Sequence, residues 1–263
     1  MHVMKLGVVF VVITLSACEQ KSPRDDQRAT PKTDEAPPTQ PSPDPSPAAR
    51  KAATPPQGGG SAEAPGGDDV RKPIAGDLAT YMKDIPGTGT KLQMTMETSL
   101  GTLHCDMFTD KAPMTIANFV GLATGKKPWS NPKTGNVEKG KPYFDGLTFH
   151  RVIPGFMIQG GDPLGQGTGG PGYNFQDEFA DGLEMGPGTL AMANAGKGPD
   201  GGGTNGSLFF VMEGSRPDLV GKHTIFGHCA ELDVVKKITG TPRDENDKPN
   251  TAVTITKVTF KKA

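Results

Sequence analysis

Phe149-His-Arg-Val-Ile-Pro-Gly-Phe-Met-Ile-Gln-Gly-Gly-Asp162 sets one arginine, Arg151, in an otherwise apolar and aromatic run, with Gln159 eight positions on. A guanidinium stays charged near neutral pH, so it needs water or something to bind. No obvious carboxylate partner is apparent. On a strand, Leu147, Phe149, Arg151 and Ile153 share one face, which reads as the wall of an apolar ligand pocket holding one strong donor. The alternative is an edge-strand arginine whose stem covers the core while its head reaches water.

Outward from this run the hydrophobic period is mainly two. Residues 92–96 and 101–108 read as strands joined by a tight turn at 99–101, and further strands are predicted at 147–153, 157–159, 189–194, 208–212, 224–228 and 251–260. Residues 110–124 form a predicted helix. Pro113 suits its first turn, Ile116, Phe119, Val120 and Ala123 make an apolar stripe, and Gly125 stops it. A second helix is predicted at 231–239, with Leu232, Val235 and Ile238 facing inward, and a short one at 78–83. Residues 126–142 are polar and rich in turn formers, so they read as a surface loop. Many strands with two widely spaced helices point to one closed β-barrel with helical end plugs. No internal repeat is visible.

The N-terminal third has a different composition. Residues 1–17 read as a bacterial export signal, with Lys5 before a short apolar stretch and small residues after it. That stretch is too short to span a bilayer as a helix. Leu15-Ser-Ala-Cys18 resembles the lipobox of bacterial lipoproteins, and this resemblance makes Cys18 the lipidated first residue of the mature chain. Twelve of the 25 prolines fall between Pro23 and Pro73, and residues 19–76 hold no aromatic residue. Such a segment cannot bury enough apolar area to offset its chain entropy, so 18–76 reads as a mobile tether and 77–91 as a lead-in to a domain at 92–263. A proline-rich docking peptide is the competing reading, but no clear basic PxxP pattern is present. A net charge of −1 gives no nucleic-acid footprint. Cys105 and Cys229 read as buried thiols, with a disulfide permitted in an exported compartment and left open.

Several motifs only look chemical. Gly165-Gln-Gly-Thr-Gly-Gly170 matches GxGxxG but opens no helix, so it is read as an irregular loop. His223, His228 and Cys229 lack the convergent fourth ligand of a zinc site. Ser207 lies outside the G-x-S-x-G turn of a nucleophile elbow. Asp162, Asp177 and Glu178 form no pair that can be placed face to face. What remains is an arginine with apolar residues around it, among them Leu208, Phe210 and Met212 on one face and Met157 and Gln159 on another.

The 149–162 run, Met192-Ala-Asn-Ala195, Asn205-Gly-Ser-Leu-Phe-Phe210 and Gly221-Lys-His-Thr-Ile-Phe-Gly227 closely resemble the cyclophilins, in the same order. Asp110-Lys-Ala-Pro-Met-Thr-Ile-Ala-Asn-Phe119 resembles that family's first helix, and the likeness covers roughly residues 92–262. The resemblance implies a peptidyl-prolyl cis-trans isomerase with an eight-stranded barrel capped by two helices, acting on proline-containing polypeptides as a monomer without a cofactor or metal. It implies that Arg151 is catalytic, that Phe156, Met157, Phe210 and Leu219 line the proline pocket, that Gln159 and Asn194 hold the peptide backbone, and that His223 closes the rim. With the export signal, it implies a bacterial enzyme lipid-anchored at Cys18 and facing the periplasm. The chain departs from the family pattern in three places. Leu208 stands where glutamine is common, Asp218 where many members have tryptophan, and residues 196–204 form a longer loop. A binding module with little catalysis is the alternative these departures leave.

Overall fold

The computed structural model describes residues 70–199 and 201–263. The signal, Cys18 and most of the predicted tether lie outside them. The elements in chain order are α1 (Asp77–Met82), β1 (Leu92–Thr98), β2 (Gly101–Met107), α2 (Pro113–Ala123), β3 (Trp129–Ser130), β4 (Val137–Glu138), β5 (Arg151–Ile153), β6 (Met157–Gly160), β7 (Thr189–Met192), β8 (Phe209–Met212), β9 (Ile225–Cys229), α3 (Leu232–Thr239) and β10 (Ile255–Lys262).

Eight strands make one antiparallel sheet in the order β10-β1-β2-β9-β7-β8-β6-β5. Alternation sets its two faces: Leu92, Met94 and Met96 of β1 are buried, as are Leu103, Cys105 and Met107 of β2. Thr98 pairs with Gly101 across the turn, and its hydroxyl donates to the Gly101 carbonyl at 2.7 Å. Gly101 has a φ of 147°, and a Cβ there would stand 2.9 Å from Val234 of α3, so two separate constraints favour glycine.

The eight-strand count agrees with the sequence, but the sheet is an open, curled one and not a closed barrel. Strand β5 has only three residues, and the outward N–H of Val152 donates to the Asp247 carbonyl at 2.8 Å. A loop therefore occupies the edge where β10 would have to pair. The two edges meet just before β5, through the Thr148–Thr254 bridge, the bond from Phe149 N–H to the Val253 carbonyl, and the bonds by which Ile255 of β10 donates to the Leu147 carbonyl and accepts from Gly146 N–H.

Helix α2 is buried at ten of its eleven positions, not along one stripe. One side meets the core, where Phe119 packs on Phe144, Phe209 and Phe226. The other side is covered by α1, whose Tyr81 ring would stand 2.7 Å from a Cβ at Gly121. Its first-turn N–H groups have no side-chain cap from the N-cap residue. The Glu178 carboxylate serves instead, accepting from Met114 N–H at 3.0 Å and Thr115 N–H at 2.7 Å, where it also meets the positive end of the helix dipole.

The last part of the predicted tether is also packed. Arg71 pairs in two-pronged fashion with Asp77, and the buried Lys127 ammonium donates to the Arg71 carbonyl at 2.7 Å and lies 4.7 Å from the Tyr173 ring centre. Burial pulls the Lys127 pKa down to about 8. The predicted 126–142 loop contains the short β3–β4 hairpin, with Ser130 N–H donating to the Pro171 carbonyl.

Cys105 and Cys229 stand directly opposite on β2 and β9 and are joined by a disulfide. Ser207 and Asp162 have structural posts. The Ser207 hydroxyl is buried between the Tyr143 hydroxyl and the Gly161 carbonyl. The Asp162 carboxylate accepts from the N–H groups of Leu164, Gln166, Gly167 and Thr168, which explains how the glycine-rich loop is held without a nucleotide.

Candidate active site

Register places the site. Arg151 of β5 stands opposite Gln159 of β6, Gln159 opposite Phe210 of β8, and Phe210 opposite Ala191 of β7. A second row on the same face, two residues along, runs Ile153, Met157, Met212. The apolar members form a cluster separate from the main core: Met157, Met185, Ala191, Phe210, Met212 and Ile225, flanked by Phe156, Leu219, Ile153 and Ala193. One sheet face thus carries an apolar floor with an arginine and a glutamine at one end of it.

The row proposed for residues 147–153 needs correction. Ile153 does share the face of Arg151 and packs on the site cluster, but Phe149 belongs to the main core and Leu147 packs against that core, so the row does not extend back from Arg151. The chain becomes a strand only at Arg151, and the preceding residues turn Phe149 inward.

Phe156 follows the Pro154–Gly155 turn between β5 and β6. Its carbonyl accepts from Glu213 N–H, and its ring lies under the Arg216 guanidinium at 4.9 Å. Arg216 in turn makes two 2.8 Å bonds to Asp218, so an ion pair occupies the rim position beside Leu219. Leu219 sits on a 3-10 turn, Pro217–Leu219, and packs half-buried on the cluster.

His223 closes the other side. Its Nδ1 is 3.1 Å from the Met192 carbonyl, which can only accept, so the hydrogen sits on Nδ1. The ring meets Phe210 edge-on with centroids 5.3 Å apart. Burial lowers its pKa, which keeps the imidazole neutral at pH 7.

The Asn194 side chain is committed internally. Its Nδ2 donates to Asp177 at 3.0 Å, Asn205 at 3.2 Å and the Lys222 carbonyl at 3.3 Å. Only its main chain is left to face a ligand. The longer 196–204 loop forms a small hairpin at this end, with Lys197 bridged to Gly203 and Thr204 bonded to Ala195 and Gly196.

All eight predicted site residues above Cys18 therefore gather on or around this face. Two others were not anticipated. Arg216 lies over the pocket phenylalanine, and Asp247 places Oδ2 3.6 Å from Arg151 Nε. Both come from polar loop stretches that carry no periodicity, so no sequence signal marks them.

The family model for cyclophilin type peptidyl-prolyl cis-trans isomerase/CLD matches residues 93–260. The chain is 48% identical over 170 residues to peptidyl-prolyl cis-trans isomerase A of Mycobacterium tuberculosis (strain ATCC 25618 / H37Rv), covering 63% of this chain and 90% of that protein. It is 49% identical over 175 residues to peptidyl-prolyl cis-trans isomerase B of Streptomyces anulatus, covering 64% and 95%. Among solved structures, a cyclophilin type peptidyl-prolyl cis-trans isomerase of Cryptosporidium parvum superposes with a TM-score of 0.55 at 30% identity, over 66% of this chain and 99% of that one. With the sheet order, the two helices α2 and α3 and the arginine-bearing face already in place, the chain belongs to the cyclophilin-type peptidyl-prolyl cis-trans isomerases.

Proposed function

We propose that this face isomerises Xaa-Pro bonds without covalent chemistry, with Arg151 as the catalytic donor. The observation that carries the reading is the row Arg151, Gln159, Phe210 across three paired strands beside the Phe156–Met157–Leu219 cluster. Peptide-bond rotation faces a barrier of about 18–20 kcal/mol because conjugation must be broken. At proline the isomers differ by only about 0.5–1 kcal/mol, so lowering that barrier is the whole task. A guanidinium donor aimed at the proline nitrogen gains strength as the lone pair leaves conjugation, so it favours the twisted amide over either planar form. Phe156, Met157, Phe210 and Leu219 grip the ring, while Gln159 and the Asn194 main chain hold the flanking peptide so that one bond turns. His223 bounds the rim as a neutral ring. No cofactor or metal enters the scheme.

The same reading puts the domain in a bacterial envelope, a monomer anchored at Cys18 and acting on exported proline-containing polypeptides. Its support is the sequence of residues 1–18. In a protease-coupled assay on a short Xaa-Pro peptide, Arg151→Ala should lower kcat/KM by about a hundredfold, as loss of one transition-state donor does. Full activity in that variant would overturn the mechanism.

A further inference from the structure

We propose that Asp247 is a positioning residue for Arg151 in the isomerase reaction; the inference rests on Arg151 being the catalytic donor. Asp247 lies in the loop before β10. Its Oδ2 is 3.6 Å from Arg151 Nε, and its Oδ1 is 3.2 Å from Arg243 Nε. Both partners of the first pair are about three-quarters covered, with side-chain exposures of 25% and 26%. Since Nε is the guanidinium atom nearest the carboxylate, the two Nη groups at the far end are left for a ligand. A carboxylate behind the fork limits the swing of a long side chain whose free rotamers would scatter the donor.

The backbone of Asp247 tells the same story independently. Its φ is 62°, the only positive value at a residue other than glycine among the described residues, while sixteen glycines occupy such positions. A left-handed aspartate costs more than glycine would. This residue is nevertheless fixed there: its carbonyl accepts from Val152 N–H at 2.8 Å, one residue along from Arg151, and its own N–H donates to the Asp244 carbonyl at 3.1 Å. Asp244 braces the turn through its carboxylate, which accepts from Asn246 and Lys248 N–H at 2.9 Å each. The loop is thus built to hold one carboxylate behind one arginine. Sharing that carboxylate with Arg243 keeps it from neutralising Arg151 outright.

The test is a double-mutant cycle read by steady-state isomerisation kinetics and thermal melting. Asp247→Asn in the wild-type background should lower kcat roughly tenfold with KM within about twofold, because the donor is misplaced only for the transition state. Asp247→Gly should melt at least as high as wild type, since it relieves the backbone, yet lose the same activity. In the Arg151→Ala background, Asp247→Asn should have no further effect. Three results would overturn the inference: full kcat in Asp247→Asn or Asp247→Gly, higher kcat on removing the carboxylate, or an undiminished loss in the Arg151→Ala background. If wild type itself fails to catalyse, or Arg151→Ala is fully active, the mechanism of the preceding section falls as well; if those two behave as expected and only the Asp247 variants do not, this inference falls alone.

Discussion

Arg151 and His150 are neighbours in the chain with opposite surroundings. Arg151 keeps a quarter of its side chain in reach of solvent or ligand, whereas His150 is 6% exposed and neither ring nitrogen has a partner among the described residues. Burial drives the His150 pKa down to about 4, with Asp162 opposing and Arg151 and Lys248 adding to the shift. An unfolded histidine titrates near 6.5, so between pH 6.5 and about 4 the unfolded chain takes up a proton that the native state refuses. Stability is therefore full above pH 6.5 and falls as pH drops toward 4, by roughly 3 kcal/mol in total. Denaturant unfolding across that window should show this fall in wild type and a much smaller one in His150→Gln. An NMR titration of the ring reads the same pKa without a substitution, and a midpoint near 6.5 would contradict it. The sequence made Arg151 conspicuous because a charge among aromatics is rare. It said nothing of this histidine, because a polar residue beside a strand is ordinary until its burial is known.

The elements were legible where alternation spoke for itself. All eight sheet strands appear where the period of two placed them, and α2 and α3 appear where the 3.6-residue stripes fell, with ends shifted by a few residues. The start of α2 moved from Asp110 to Pro113 because Lys111 and Ala112 N–H groups both turn back to the Phe108 carbonyl. Its all-round burial was not legible, since the second covering surface, α1, comes from a stretch of weak local pattern. The disulfide was undecidable for a similar reason: pairing depends on β2 and β9 being neighbours, a long-range fact. It closes a sequence separation of 124 residues. Restricting so long a loop in the unfolded chain stabilises the fold by about 2–5 kcal/mol. The Cys105→Ala, Cys229→Ala double variant should unfold at correspondingly lower denaturant, and an unchanged midpoint would show that the cross-link carries little.

At the scale of the molecule, the sheet opens where Asp247 takes the free edge of β5, and the same residue reaches Arg151. Eight strands and a family resemblance suggested closure, but strand count does not reveal that a loop caps an edge. The pocket was readable because its residues sit in contiguous motifs; Asp247 and Arg216 were not, because loops bring them in. The proposed cell-envelope anchoring concerns the whole chain and has a simple check. Expressed in a bacterial host, wild type should partition with membranes and Cys18→Ala should be released, whereas membrane retention of that variant would count against lipidation. The most direct test of the central proposal is two-dimensional NMR exchange on a short Xaa-Pro peptide with substoichiometric protein. Wild type should raise the cis-to-trans and trans-to-cis rates by the same factor without moving the equilibrium, and Arg151→Ala should return both to near the uncatalysed values. Uncatalysed rates with wild type, or undiminished exchange with Arg151→Ala, would contradict it.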